Sequence, residues 1–344
     1  MRSNGAIEVE GIGCRGQVAT SLAVSRRAVL AAATSALLTI SGCAGGKSSK
    51  RVGSTGSADA DRSGSKAAGA EGSEPDRWGG DAVAQVSALV EPYGDNVSVM
   101  AVSLDASTFE PRAGEIRIMS DARRPSASIV KLFILACMLD KIAAGEAALD
   151  EALIMDASNI VGGSGVIAAQ GAGSAFTIDD LLMQMVAQSD NTAANMLIDR
   201  LGFDAVNAEV ASLGCTQTVL ARKMMDAQAE AEGRGNYTSA ADVATLLQKL
   251  AAGAIATPEL CDRARGYLLA QADTRGIAEG VPEGIAVAHK TGSLAAAQHD
   301  AAIIYAEQPF ILVILTQNLD REAALTLERD IATTLCTAPS SASA

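Results

Sequence analysis

The sequence predicts an α+β fold: an antiparallel sheet of about five strands packed with terminal helices, with an all-α subdomain inserted in the middle. Three observations carry this. Short apolar runs of strand length, separated by turn residues, lie near both ends of the folded region, at 97–104 and 115–119 and again at 285–289, 301–306 and 310–316. From about 149 to 250 the apolar spacing is helical and broken by Gly-rich loops. Apolar residues make up 49% of the chain but aromatics only 3%, so the core is built from closely packed aliphatic side chains. Strands at both ends with helices between them place both termini in one layer.

In order, 81–90 reads as a short amphipathic helix, and 97–104 with 115–119 as a hairpin. The stretch 128–142 is apolar nearly all round and predicts a buried helix. Helices at 179–187, 192–201 and 240–250 follow, then the three C-terminal strands and a closing helix at 321–335. The resulting organisation is a signal at 1–43, a linker at 44–80 and a domain at 81–337. Its α/β part covers about 81–125 and 255–337, and its helical part about 126–254.

Several function classes are disfavoured at once. A net charge of −13 argues against nucleic acid, whose phosphates need clustered Lys and Arg. Only two histidines occur, His289 and His299, and the six cysteines form no CxxC pair, so neither a metal site nor a cofactor is expected.

The first 43 residues read as an export signal. Ser25-Arg26-Arg27 precedes an apolar run of about 13 residues, too short for a membrane span of roughly 20. The arginine pair resembles a twin-arginine signal, and the stretch ending at Cys43 resembles a bacterial lipobox. That resemblance implies a lipid on Cys43, a membrane partner and a location on the outer face of an envelope membrane. Residues 44–80, rich in Gly, Ser, Ala, Lys and Asp, read as a flexible tether. Cys137, Cys215, Cys261 and Cys336 would then lie outside the cytoplasm, where disulfides are permitted; their pairing is not readable from sequence. The exported protein is expected to be a monomer.

Three motifs carry chemistry. Ser128-Ile129-Val130-Lys131 opens the buried helix, and residues three apart share a helix face, so the serine hydroxyl and lysine amine can meet. A helix N-terminus favours a developing alkoxide, and a buried lysine has a lowered pKa that suits a base. Ser63-Gly64-Ser65-Lys66 matches the same pattern inside the linker by chance. Ser189-Asp190-Asn191 lies between two helices, where all three residue types are ordinary caps; its functional reading has Ser189 relay a proton and Asn191 bond substrate. Lys290-Thr291-Gly292-Ser293 is expected at the end of the 285–289 strand. There Gly292 allows close backbone approach, the N–H groups of Ser293 and Ser128 form an oxyanion hole, and Lys290 attracts a substrate carboxylate.

The order and spacing of the three motifs resemble the class A β-lactamase-like serine hydrolases, over about 97–318. Ser189 to Asn195, His289 to Ser293 and the run 160–165 fit the same family's pattern. The resemblance implies a β-lactamase/transpeptidase-like fold and a small-molecule β-lactam or cell-wall peptide as substrate. It implies Ser128 as nucleophile, Lys131 and Ser189 as proton carriers, and Asn191, Lys290, Thr291, Gly292 and Ser293 as substrate contacts, with the run 162–165 rimming the cleft. Two departures stand out. Where the family has its water-activating Glu, the matching position is Met224, with Arg222 at the family's arginine, Gln228 at the Asn position, and Asp226 and Glu230 nearby. His299 stands where many members keep an Arg for the substrate carboxylate. The expectations are therefore a β-lactam hydrolase with turnover, a penicillin-binding or D-Ala-D-Ala peptidase-like protein that deacylates slowly, or a lipoprotein that only binds cell wall.

Overall fold

The computed structural model describes residues 77–338; Cys43, the signal and most of the tether lie outside the described residues. Ten helices are described: α1 (Gly80–Val90), α2 (Lys131–Ala143), α3 (Ile178–Ala187), α4 (Asn191–Leu201), α5 (Phe203–Ser212), α6 (Ala227–Ala231), α7 (Ala240–Ala251), α8 (Pro258–Leu269), α9 (Ile277–Gly280) and α10 (Arg321–Thr337). The main strands are β1 (Val97–Leu104), β2 (Pro111–Ile118), β7 (Val287–Leu294), β8 (Ala297–Ile304) and β9 (Phe310–Thr316). Two short ribbons, β3 (Arg124–Pro125) with β6 (Tyr237–Thr238) and β4 (Ala152–Ile154) with β5 (Ala175–Thr177), tie loops together.

The main sheet has five strands in the order β2-β1-β9-β8-β7, with every pair antiparallel. All positions of β1, β8 and β9 are buried, because both sheet faces are covered. This explains apolar runs where an antiparallel sheet with one wet face would alternate. On one side Met100, Val102, Ala301, Ile311 and Val313 join the core of α2, α3, α4, α7 and α8. On the other, Val97, Val99, Ile304 and Leu312 pack with α1 and α10. Ala82, Val86 and Val90 of α1 recur every four residues and form its buried stripe.

Several element boundaries differ from the sequence reading; the strand expected at 301–306, for one, runs Ala297–Ile304. The α-helix expected to open at Ser128 begins at Lys131, with a 3-10 turn over Ala127–Val130 before it. The third C-terminal motif lies inside β7, not beyond a strand end, because pairing with β8 continues from Val287↔Ile304 to Leu294↔Ala297. The expected 115–119 strand starts earlier, at Pro111, across a register shift between Val102 and Leu104. Among the described residues no helix is long and apolar enough to cross a membrane, and Cys137, Cys215, Cys261 and Cys336 are free thiols.

Candidate active site

β7 is an edge strand, so one of its edges is unpaired by the sheet and faces the 3-10 turn that carries Ser128. The approach is close. A Cβ built on Gly292 would lie 3.1 Å from the Ser128 backbone nitrogen, from the Ala127 Cβ and from the Ile129 Cγ1. A side chain there would push the strand from the turn, so glycine is needed. Ser128 is half-buried and lines two adjoining chambers. The larger, of about 530 Å³, is bounded by Asn191, Met224, Met225, Glu230, Tyr237 and Ser293 among others. The smaller, of about 260 Å³, is bounded by Ser189, Asp273, Arg275, Thr291, Ser293 and Arg321 among others. Ser128, Ser164 and Ser293 belong to both.

Beneath Ser128 lie two fully buried lysines. Lys131 Nζ donates to the Ser189 carbonyl at 2.6 Å, to Asn191 Oδ1 at 2.8 Å and to Ser189 Oγ at 3.3 Å. The sequence-based expectation joined it to Ser128; here its hydrogen bonds go to the second motif instead. Lys290 Nζ donates to Ser189 Oγ at 2.9 Å and to its neighbour's carbonyl, Thr291 O, at 2.8 Å. The Ser189 hydroxyl is therefore held between two lysine amines. Burial holds the Lys131 amine well below the usual lysine range, and the nearby Lys290 charge lowers it further, against Asp190. Burial also brings Lys290 down to about 7, although Asp300 and Asp273 oppose this.

The central motif divides its work. Asp190 is the N-cap of α4, its carboxylate accepting from Ala193 N at 2.9 Å. It also accepts from Val166 N at 2.6 Å and Ile167 N at 3.0 Å. A Cβ on Gly165, whose φ is +114°, would collide with that carboxylate. Asn191 Nδ2 donates to Gly162 O at 3.0 Å, and Asn191 N to Ser164 O at 3.0 Å. The glycine run is thereby stitched to the cleft rim, and capping and site-building proceed from one tripeptide. Ser189 itself has φ +52°, and Ala127 and Met225, which also line the cleft, have φ +47° and +63°. Non-glycine residues held in this region store strain that the surrounding structure must impose.

Two expectations are corrected. Lys290 does not offer its ammonium openly to a carboxylate; it is buried and spent on Ser189 and Thr291. His299 is completely buried, with its ring nitrogens near the carbonyls of Gln298 and Pro125 and the Thr316 N–H, and burial holds its imidazole at about 4. It presents no atom to either chamber. The cationic groups at the smaller chamber are instead Arg275 and Arg321, both salt-bridged to Asp273. Sequence reading missed them because they sit in a loop after α8 and at the start of α10, where no local pattern marks them.

The opposite wall is the 222–236 loop. The Met224 backbone is clamped by Asn195, which accepts from Met224 N at 2.8 Å and donates to Met224 O at 3.2 Å. Both Met224 and Met225 line the larger chamber. Asp226 caps α6 by accepting from Ala229 N, and Gln228 donates to Glu232, so neither reaches the cleft. Among the lining residues of the larger chamber, Glu230 is the one carboxylate. No group of three or more potential ligands for a metal ion occurs among the described residues.

This arrangement of sheet, inserted helices and cleft is the β-lactamase/transpeptidase-like fold. The beta-lactamase enzyme family model matches residues 81–338, and the chain belongs to that family. It is 31% identical to a beta-lactamase from Sphaerobacter thermophilus DSM 20745, with a TM-score of 0.66, covering 74% of this chain and 94% of that one. It is 25% identical to PBP-A, with a TM-score of 0.69 and coverage of 77% and 97%. An ancestral class A beta-lactamase, 23% identical with a TM-score of 0.65 and coverage of 74% and 98%, shares the fold. No curated protein sequence matches the chain.

Proposed function

We propose that the protein is a serine hydrolase of β-lactam-type amides that works through an acyl-enzyme on Ser128. The observation that carries this reading is the Ser189 hydroxyl held between Lys131 and Lys290 beside Ser128 at an open cleft. Ser128 Oγ bonds to the amide carbonyl carbon as its proton leaves toward the neutral Lys131 amine. The Ser128 backbone N–H, with that of Ser293 on the exposed edge of β7, receives the oxyanion. The carbon–nitrogen bond then breaks, and Ser189 passes a proton to the departing nitrogen, replenished from the lysines. Asn191 keeps one amide N–H beyond its bond to Gly162 for the substrate, and Thr291 and Ser293 line the opposite side. Water finally releases the acyl group.

The second reading is a penicillin-binding, peptidase-like protein that acylates but releases slowly. The apolar Met224, at the position where the family's water-activating Glu is expected, favours it, because a general base must stand within about 3 Å of its water or act through one more. A point mutant of PBP-A, itself 25% identical to this chain, is described as an acyl-enzyme complex with penicillin-G. Incubation with a chromogenic cephalosporin separates the readings. Sustained turnover identifies the fast hydrolase, and a single burst with a lasting mass adduct on Ser128 identifies the slow one. No adduct with any β-lactam, together with peptidoglycan binding, would overturn both in favour of a binding-only lipoprotein.

We further infer export by the 1–43 signal, lipidation at Cys43 and display of a monomeric domain on the outer membrane face by the 44–80 tether, from the apolar run, the Cys and the composition alone. Cys43→Ala should then move the protein from the membrane fraction to the soluble one.

A further inference from the structure

We infer that the cleft is polarised along its length, with Glu230 receiving an ammonium group on the acyl side of the scissile amide. The inference rests on the acyl-transfer reading above. Direction comes first. Ser189, the proton donor to the departing nitrogen, lines the smaller chamber and not the larger, so the leaving half of the substrate points there and the acyl half occupies the larger chamber.

The charged groups presented at the two chambers differ. At the leaving end the charged lining residues are Arg275, Arg321 and Asp273, two cations that share one carboxylate. That suits a free carboxylate. At the acyl end the charged lining residues are Arg222 and Glu230. They pair at 3.1 Å, but unequally: the Arg222 side chain is 12% exposed and the Glu230 side chain 60%. The cation is sunk into the wall and the anion is presented, so a ligand meets negative charge. One Glu230 oxygen takes Arg222 Nη2, and the other accepts no hydrogen bond from the described residues. Met225 and Leu294, 56% and 43% exposed, line the same chamber. An apolar stem ending in a primary amine fits these surfaces. The substrate class is therefore a zwitterionic amide, with a carboxylate beyond the departing nitrogen and an ammonium on the acyl chain.

The test compares Ser128 acylation by benzylpenicillin and by ampicillin, whose acyl side chain differs by one amine, following the mass adduct over time. Wild-type protein should prefer the amine by about fivefold at low salt, the scale of one exposed charge pair. The preference should fade toward 1 M salt, where the screening length falls to about 3 Å. In Glu230→Gln the ratio should approach one, and in Glu230→Lys it should invert. Because the ratio is taken within each variant, loosening of the loop cancels, and the salt series needs no variant. Equal rates in wild type, or a ratio unchanged in Glu230→Gln, would overturn the inference while leaving the hydrolase reading intact. Absence of both adduct and turnover with both penicillins would remove the hydrolase reading and this inference with it; where release outpaces acylation, the same ratio is read from the turnover rates.

Discussion

The two walls of the cleft are built on opposite principles. The floor, Lys131–Ser189–Lys290, is fully buried at both lysines, and each polar group is held by two or more partners from different elements. The loop wall is apolar at Met224 and Met225, and the one carboxylate it adds to the lining of the larger chamber, Glu230, is largely in solvent. Burying two lysine amines beside one hydroxyl penalises their charged forms, and that penalty is what lowers their pKa values. A floor of that kind persists because the core behind it enforces it. The loop is under no such constraint, being anchored through its backbone by Asn195 and Asn236. The lysine floor is thus fixed by the core, whereas the loop wall is held through its backbone.

The floor is tested most severely by Ser128→Ala. Acylation should fall by ~10⁴-fold or more, with an unchanged circular dichroism spectrum; residual labelling at the wild-type rate would place the nucleophile elsewhere. Met224→Glu exchanges the character of the loop wall. Acyl release should accelerate by about 10²-fold, the scale of a positioned general base, read as the lifetime of the Ser128 adduct. An unaltered lifetime would show that the loop does not limit release.

The pH profile sharpens the same contrast. The Lys290 amine titrates at about 7, so its charge is present below that pH and lost above it. Acylation should decline above about pH 7, by ~tenfold per unit once Lys290 is mostly neutral, and Lys290→Met should lack this limb. Lysine burial has the opposite sign for stability. The unfolded chain binds the proton up to about 10.4 and the folded chain does not, so this group makes stability rise with pH between about 7 and 10.4.

The smallest expected effect lies behind the floor, at Glu328. Its carboxyl is completely buried, neither oxygen has a hydrogen-bond partner, and burial followed by the Asp300 and Asp273 charges holds it well above the usual carboxylate range. The folded state keeps a proton that the unfolded state releases above about 4.3, so this group costs stability as pH rises beyond that value. Glu328→Leu should stabilise the protein by about 1–3 kcal/mol at pH 8 and by less at pH 4, measured by thermal melts. An equal gain at both would show that the carboxyl is not protonated.

Local signals were enough for most elements. The even apolar runs of β1 and β9 and the period of α1, α3 and α7 were legible because each buries a face or a whole strand against the core. Helix α8 was not, since its polar sequence hides a stripe of Cys261, Ala264 and Leu268 behind Asp262, Arg263 and Arg265, although Thr257 with Pro258 marks its start. The three motifs were legible as residues, but the strand reading stopped at His289 because Lys290 to Ser293 carry no apolar alternation; pairing with β8 extends β7 through them.

By itself the sequence determined the α+β arrangement, the buried helix after Ser128 and the three motifs, since periodicity and residue type act over a few neighbours. The tertiary structure alone decided that Lys131 bonds Ser189, that Lys290 turns inward, that His299 is buried within β8, and that Arg275, Arg321 and Glu230 line the two ends of the cleft. Those outcomes depend on how residues up to about 200 positions apart are brought within hydrogen-bonding distance or around one cleft, and on how much water each then retains, quantities that no stretch of chain contains.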